Sequence, residues 1–286
     1  MKNSKESLYL PTRTHKFCHN SQSFYTHMPE LLFYILCGAG VGLAVGLTGV
    51  GGGSLMTPLL IFSGVPTKIA IGTDLLYAAA TKTGALISHQ RLKTIRWDLV
   101  ALISAGSIPA SLATSAVLKL WLSDTEYTHH LEFALGIMLV ITSIVVAFKK
   151  RVRHDASEEG PHSRWIQRHV KPIAVISGLF LGVFVTLSSV GAGAFCAALL
   201  LTLFPRLPAL NIVGTDIAHA VPLTLVAGMG HVWNDHISWS LLTGLLIGSL
   251  PAVHFGARLA SKIPSNILQN ILAFLLFTIG LKFIVS

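Results

Sequence analysis

The sequence predicts an all-α polytopic membrane protein built from two homologous halves, and three observations support this prediction. Of the 286 residues, 52% are hydrophobic and only 12% are charged, whereas soluble domains carry about 25% charged residues. The apolar residues form blocks long enough to cross a bilayer, which takes about 20 residues in a helix. Several rare residue types also recur in both halves at a nearly constant spacing.

The blocks predict four regions along the chain. A polar N-terminal tail covers residues 1–30, the first transmembrane repeat 31–148, a linker 149–171 and the second repeat 172–286. The linker is rich in lysine and arginine, which places it on the cytoplasmic side of the membrane. The formal net charge of +9 therefore reflects orientation in a membrane, and no nucleic-acid partner is expected.

The repeat is read from residues that match in type and order. The glycine motif at 50–53 matches 190–193 at an offset of 140, and Gly72-Thr73-Asp74 matches Gly214-Thr215-Asp216 at an offset of 142. Internal repeats of this kind indicate a duplicated structural unit. The offset of 142 also pairs His89 with His231, Trp97 with Trp239, Gly106 with Gly248 and Pro109 with Pro251.

The loop charges predict that the two halves are inverted relative to each other. The loop with Arg91, Lys93 and Arg96 is basic, whereas its counterpart at 232–238 has no lysine or arginine. Opposite charge in equivalent loops is typical of inverted-topology repeats. Inversion needs an odd number of crossings per half, which the short apolar stretches 54–63 and 194–204 supply as broken segments. The total is then eight to ten segments; the alternative is eight spans in two parallel halves, with both stretches re-entrant.

The two glycine motifs are the predicted substrate site. Three consecutive glycines disfavour a helix by about 1 kcal/mol each, and irregular backbone at membrane depth faces protein or a wet cavity. The helix that restarts after each motif presents free N–H groups suited to an anion. A structural kink without a ligand is the alternative. The predicted substrate-binding residues are Thr48, Gly49, Gly51, Gly52, Gly53, Ser54, Ser188, Ser189, Gly191, Gly193 and Lys82. Upstream, Gly38, Gly42 and Gly46 share a helical face that predicts close helix packing.

Polar residues inside the apolar helices are the predicted coupling or loop-support residues. Asp74 and Asp216, with Thr73 and Thr215, either carry protons and fix the glycine loops or cap helix N-termini. Lys82 is either a counter-charge for an anion or a snorkelling side chain. His89 and His231 either titrate or lie as caps at helix C-termini. Neither histidine has a partner at metal-ligand spacing, so neither a metal nor a cofactor is expected.

The segment GLTGVGGGSLMTPLL (46–60), the GTD at 72–74 and a helix ending in His89 before a basic loop together resemble the TauE/SafE family. The resemblance extends over residues of about 31–285. It implies a transporter that exports sulfite, sulfoacetate or related small sulfur-containing anions. The second copy departs from the pattern, because it reads VGAGAF and has Ala198 at the proline position.

Other classes of function remain open at this point. The sequence contains no ATPase motif, so transport would be driven by an ion gradient or by the gradient of the substrate. A passive anion channel is the main alternative to a carrier. An integral-membrane enzyme is disfavoured because the histidines are scattered and form no HxxxH pair, so the chain is not expected to be an enzyme. Membrane lipid and a small anion are the expected partners; the GxxxG faces fit internal packing and a homodimer equally.

Overall fold

The computed structural model describes residues 19–48, 53–121, 124–155, 169–204, 207–260 and 265–285. Within these ranges the chain is helical, as predicted, and contains no strand. The first half consists of α1 (His19–Thr48), α2 (Gly53–Phe62), α3 (Thr67–Arg91), α4 (Trp97–Trp121) and α5 (Asp124–Asp155). The second half consists of α6 (Val170–Ser188), α7 (Ala194–Leu203), α8 (Ala209–Trp233), α9 (Trp239–Ala260) and α10 (Ser265–Val285). The beginning of α1 lies within the predicted tail, and the boundaries of the four regions stay predictions.

The described helices confirm a protein that spans a membrane several times. Five segments are long and apolar enough to cross a bilayer, and they lie in α4, α5, α6, α8 and α9. Large apolar side chains point outward from these helices, as Leu120, Trp233 and Phe255 do. A continuous apolar exterior of this kind suits lipid rather than water. The helix α3 is long enough to cross a bilayer, but its mean hydropathy is lower because it carries Asp74 and Lys82. The first half of α3 is buried by the surrounding helices.

Glycines bring two pairs of helices into parallel contact. A Cβ atom on Gly38 or Gly42 would collide with backbone of Leu245 or Ser249, so α1 and α9 touch along their lengths as the GxxxG pattern predicts. Gly106 and Gly178 bring α4 and α6 together in the same way. The repeat makes α1 equivalent to α6 and α9 equivalent to α4. The two contacts are therefore copies of one interface, each formed between the halves.

The central pair α3 and α8 runs antiparallel. Gly72, near the start of α3, lies against His231 at the end of α8, while Gly214, near the start of α8, lies against His89 at the end of α3. An inverted repeat requires such an antiparallel contact between equivalent helices. The direction of α3 and α8 therefore agrees with the loop charges, and the inversion of the halves stays a prediction.

Cysteine labelling tests the inversion at two equivalent positions, Leu92, which is exposed, and Asn234, which is partly exposed. In a background without the native cysteines, Leu92→Cys should react with an impermeant maleimide only from the cytoplasmic side. Asn234→Cys should react only from the outside, because the equivalent turns lie at opposite faces. Gly160→Cys in the linker is the cytoplasmic reference. Labelling of positions 92 and 234 from one side would refute the inverted arrangement.

Candidate functional site

The second glycine motif is an irregular, buried segment between two helices. α6 ends at Ser188, and Ser189 adopts a left-handed conformation with φ of 60° before α7 begins at Ala194. Gly191 has a backbone φ of 104°, a value that residues with a side chain rarely adopt. A Cβ atom there would also collide with Met138. Gly193 occupies the N-cap position of α7. Gly191 is thus required by the backbone of the segment itself.

The two serines of this segment have different roles. Ser188 stabilises the segment, since its Oγ donates to the Phe184 carbonyl at 2.6 Å and accepts from the Val190 N–H at 3.2 Å. The Oγ of Ser189 is buried beside the Asp74 carboxylate, with which it interacts. The contact of Ser189 with a substrate stays a prediction.

The first glycine motif lies largely outside the described residues. Gly49, Gly51 and Gly52 fall in the gap between α1 and α2, and the surroundings of Thr48 and Gly53 are also outside the described part of the chain. Ser54 is buried in the first turn of α2. The roles predicted for these residues stay predictions.

Asp74 joins the first half to the second glycine segment. Its side chain is fully buried in α3, and Oδ2 accepts a hydrogen bond from the Thr57 hydroxyl of α2 at 2.5 Å. The alternative that the GTD aspartates cap helices is wrong, because α3 and α8 begin one to two turns earlier, after Pro66 and Pro208. Asp74 and Asp216 are instead buried carboxylates within helices.

Lys82 turns inward rather than toward the membrane surface, so the snorkelling alternative is wrong. Its Nζ donates a hydrogen bond to the Ala192 carbonyl at 2.9 Å, which ties α3 to the second glycine segment. The ammonium is attracted electrostatically by Asp216 on α8 and by Asp74 on its own helix. One cation and two anions from the two halves therefore converge beside the start of α7.

The GTD threonines make matching hydrogen bonds across the halves. Thr73 Oγ1 accepts from the Ser238 backbone N–H at 3.2 Å, and Thr215 Oγ1 accepts from the Arg96 N–H at 3.1 Å. Ser238 and Arg96 follow equivalent turns, each with one left-handed residue, Lys93 or Asp235. The GTD glycine lets the turn of the other half approach, and the threonine then binds it.

The equivalent histidines differ in their bonding. His89 Nδ1 lies 2.8 Å from the Thr94 hydroxyl in the turn that follows α3. His231 is buried, and its Nε2 donates to the Thr186 carbonyl of α6 at 3.0 Å. His231 therefore reaches a neighbouring helix instead of capping its own.

A family model described as "Sulfite exporter TauE/SafE" matches residues 34–283. The chain belongs to the TauE/SafE family. It is therefore a multi-pass membrane transporter of the bacterial cytoplasmic membrane and not an enzyme. No solved structure matches it significantly.

Relatives within the TauE/SafE family carry names of the same kind. The "Probable membrane transporter protein YjnA" of Bacillus subtilis is 36% identical over 254 residues, which cover 87% of this chain and 98% of the relative. YunE of the same organism, also named a probable membrane transporter protein, is 25% identical over 89% of this chain and 97% of its own length. A probable membrane transporter protein of Methanocaldococcus jannaschii, MJ0441, is 24% identical over 86% and 92%.

Three buried residues near the site of this TauE/SafE protein are not predicted by the sequence. Thr57 donates a hydrogen bond to Asp74. The one feature of the sequence that could indicate this role is a hydroxyl group within the short apolar helix that follows the glycine motif. His219 lies with Nε2 2.9 Å from Ser107 Oγ and with Nδ1 3.6 Å from Cys196 Sγ. One feature of the sequence does indicate His219: it follows Asp216 by three residues and therefore lies on the same face of the helix. Cys196 gives no signal of its own, because a single cysteine among apolar residues is typical of a protein core.

Replacement of the GTD threonines tests the hydrogen bonds across the halves. Thr73→Val and Thr215→Val should each lower the stability by about 0.5–1.5 kcal/mol, because each removes a partly buried hydrogen bond between the halves. Thermal unfolding in detergent should show two similar decreases in Tm. Thr243→Val is the matched control, since that exposed hydroxyl bonds only to its own helix. A Tm unchanged by both GTD substitutions would contradict a stabilising role of these hydrogen bonds between the halves.

Proposed function

We propose that this TauE/SafE protein is a secondary transporter that exports a small sulfur-containing anion such as sulfite, sulfoacetate or a related sulfonate. The observation that carries the proposal is Lys82, a cation directed into the protein at the second glycine segment. A charged side chain at membrane depth is costly and marks a substrate or ion pathway. The family description, sulfite exporter, supports both the substrate class and the direction.

The anion would bind where Lys82 meets the start of α7. The first N–H groups of a helix have no partner within the helix and carry a partial positive charge. α7 begins at Ala194, two residues after the carbonyl that Lys82 contacts. The Ser189 hydroxyl is buried in the segment just before it. An ammonium, helix N–H groups and a hydroxyl are together the donors that a sulfite or sulfonate group requires.

Asp74 and Asp216 would exclude anions from this site unless their charge is balanced. In the described structure Lys82 offsets part of that charge. An arriving anion competes with the carboxylates for the ammonium, so binding loosens the link between α3 and the glycine segment. Such competition provides a physical route from substrate binding to a change of conformation between the halves. It favours a carrier over a passive channel.

Flux through proteoliposomes tests the proposal. The wild-type protein should accumulate radiolabelled sulfite, sulfoacetate or taurine by counterflow, and uptake should saturate, which a channel does not show. Lys82→Gln should reduce this flux by roughly ten- to a hundred-fold, since a hydrogen bond to a charged group contributes about 1.5–3 kcal/mol. Lys119→Gln is the control, because Lys119 is exposed at the end of α4 over the Trp233 ring. Equal flux in the two variants would contradict the role of Lys82, and no flux of any sulfur anion would refute the substrate class.

A further inference from the structure

The two equivalent central helices, α3 and α8, are enclosed to different extents. In α8 the buried residues extend from Ile212 to His231, almost the whole length of the helix. In α3 they end at Ala79, and no residue from Ala80 to Arg91 is buried. The second half of α3 is therefore open where the second half of α8 is packed. Neither the substrate site nor the hydrogen bonds between the halves account for this difference.

The difference is clearest on the face of each helix that carries Lys82 or its counterpart. On α3 this face continues toward the following turn through Ala85 and His89, because residues three to four apart share one face of a helix. All three residues are only partly buried. Their counterparts at the offset of 142 have exposed fractions of at most 1%, and they are Thr224, Ala227 and His231. Space for water therefore adjoins this face of α3, whereas the same face of α8 is closed.

Two neighbouring helices close the second half of α8. A Cβ atom on Gly228 would collide with Leu76, so α8 and α3 touch directly at this point. On another side, the Thr186 carbonyl of α6 accepts a hydrogen bond from His231 at 3.0 Å. The turn that follows, 232–238, has no lysine or arginine, which predicts a location outside the cytoplasm. The described structure is therefore closed along α8 toward the outer side.

The open face of α3 leads from the candidate site to a basic turn. From Lys82 to Arg91 the helix rises by about 14 Å. Together with Lys93 and Arg96, Arg91 makes the turn basic, so the positive-inside rule predicts that it is cytoplasmic. Polar residues at membrane depth face the interior of a helix bundle or a water-filled cavity. The face has small or polar side chains along its length, and in chain order they are Thr81, Lys82, Ala85, Ser88 and His89.

The other faces of α3 are occupied by packing and by lipid. On one flank, Leu86 packs against a small apolar cluster that includes Ile95. On the face opposite Lys82, Gly84 and Ile87 are exposed, and no atom lies within 4 Å of a Cβ atom placed on Gly84. An uncharged outward face of this kind suits contact with lipid. The open face that carries Lys82 is thus separate from the side of α3 that meets the membrane.

We propose that the anion reaches Lys82 from the cytoplasm along the face of α3 that carries Ala85 and Ser88, and that the described conformation is the one open to the cytoplasm. The inference rests on the proposed function, because an exporter receives its substrate on that side. Release then requires the closed face of α8 to open, which breaks the hydrogen bond between His231 and the Thr186 carbonyl. Inverted repeats are suited to this exchange, since one repeat moves against the other around a fixed site.

Thiol labelling at Ala85 and at its counterpart Ala227 tests the entrance with the same substitution at both positions. In a background without the native cysteines, Ala85→Cys should react with an impermeant methanethiosulfonate reagent that carries a sulfonate, applied from the cytoplasmic side. The attached group should lower sulfite flux in proteoliposomes about ten-fold or more, because it occupies the path to Lys82. Ala227→Cys, treated from the outside, should react about ten-fold or more slowly, because a buried thiol is shielded and forms little thiolate.

Gly84→Cys is the matched control, because it lies next to Ala85 but on the lipid-facing side of α3. It should stay unlabelled, since a charged reagent does not enter lipid. Ser88→Cys, on the same face as Ala85, is the second variant if Ala85→Cys does not fold. Absence of labelling at 85 and 88, or equal rates at 85 and 227, would overturn the entrance and leave the transport proposal standing. No flux of any anion in the wild type would refute the transport proposal, while the labelling rates still decide whether this face of α3 is open to water.

Discussion

The antiparallel contact between α3 and α8 is the constraint on which the rest of the structure depends. Each helix has a GTD motif whose glycine admits the turn of the other half, and whose threonine then accepts a hydrogen bond from that turn. The two motifs do this reciprocally, so neither half completes its own site. The aspartate that follows each threonine is carried into the interior by the same helical turn. The contact therefore fixes both the relation of the halves and the position of the buried charges.

The buried charges explain why the site needs both halves. An isolated carboxylate or ammonium in a membrane protein is costly, and pairing offsets part of that cost. Here Asp74 is held by Thr57 of its own half, while Lys82 reaches a carbonyl of the other half and is attracted by Asp216. The charged groups of this cluster therefore come from both halves, and neither half could assemble it alone.

The sequence predicted the repeat, the helical membrane fold and the family, because matching residues at a constant offset depend only on chain order. It also singled out Thr73, Thr215 and Lys82, since polar residues in apolar helices are conspicuous. Their partners were not predictable, because the spacing along one helix does not reveal which turn lies opposite. The capping alternative for Asp74 failed since the helix begins at Thr67, directly after Pro66. His219 and Cys196 were missed because a single polar residue on an apolar face resembles an ordinary core residue.

The most direct test of the central claim, that an anion binds between Lys82 and the second glycine segment, is a structure of the protein with selenite. Selenite mimics sulfite, and the anomalous scattering of selenium locates it without ambiguity. We expect a selenium peak within about 4 Å of Lys82 Nζ, as a direct ion pair requires, beside Ser189 and the start of α7. A peak at an exposed basic loop, with the site beside Lys82 empty at saturating selenite, would contradict it.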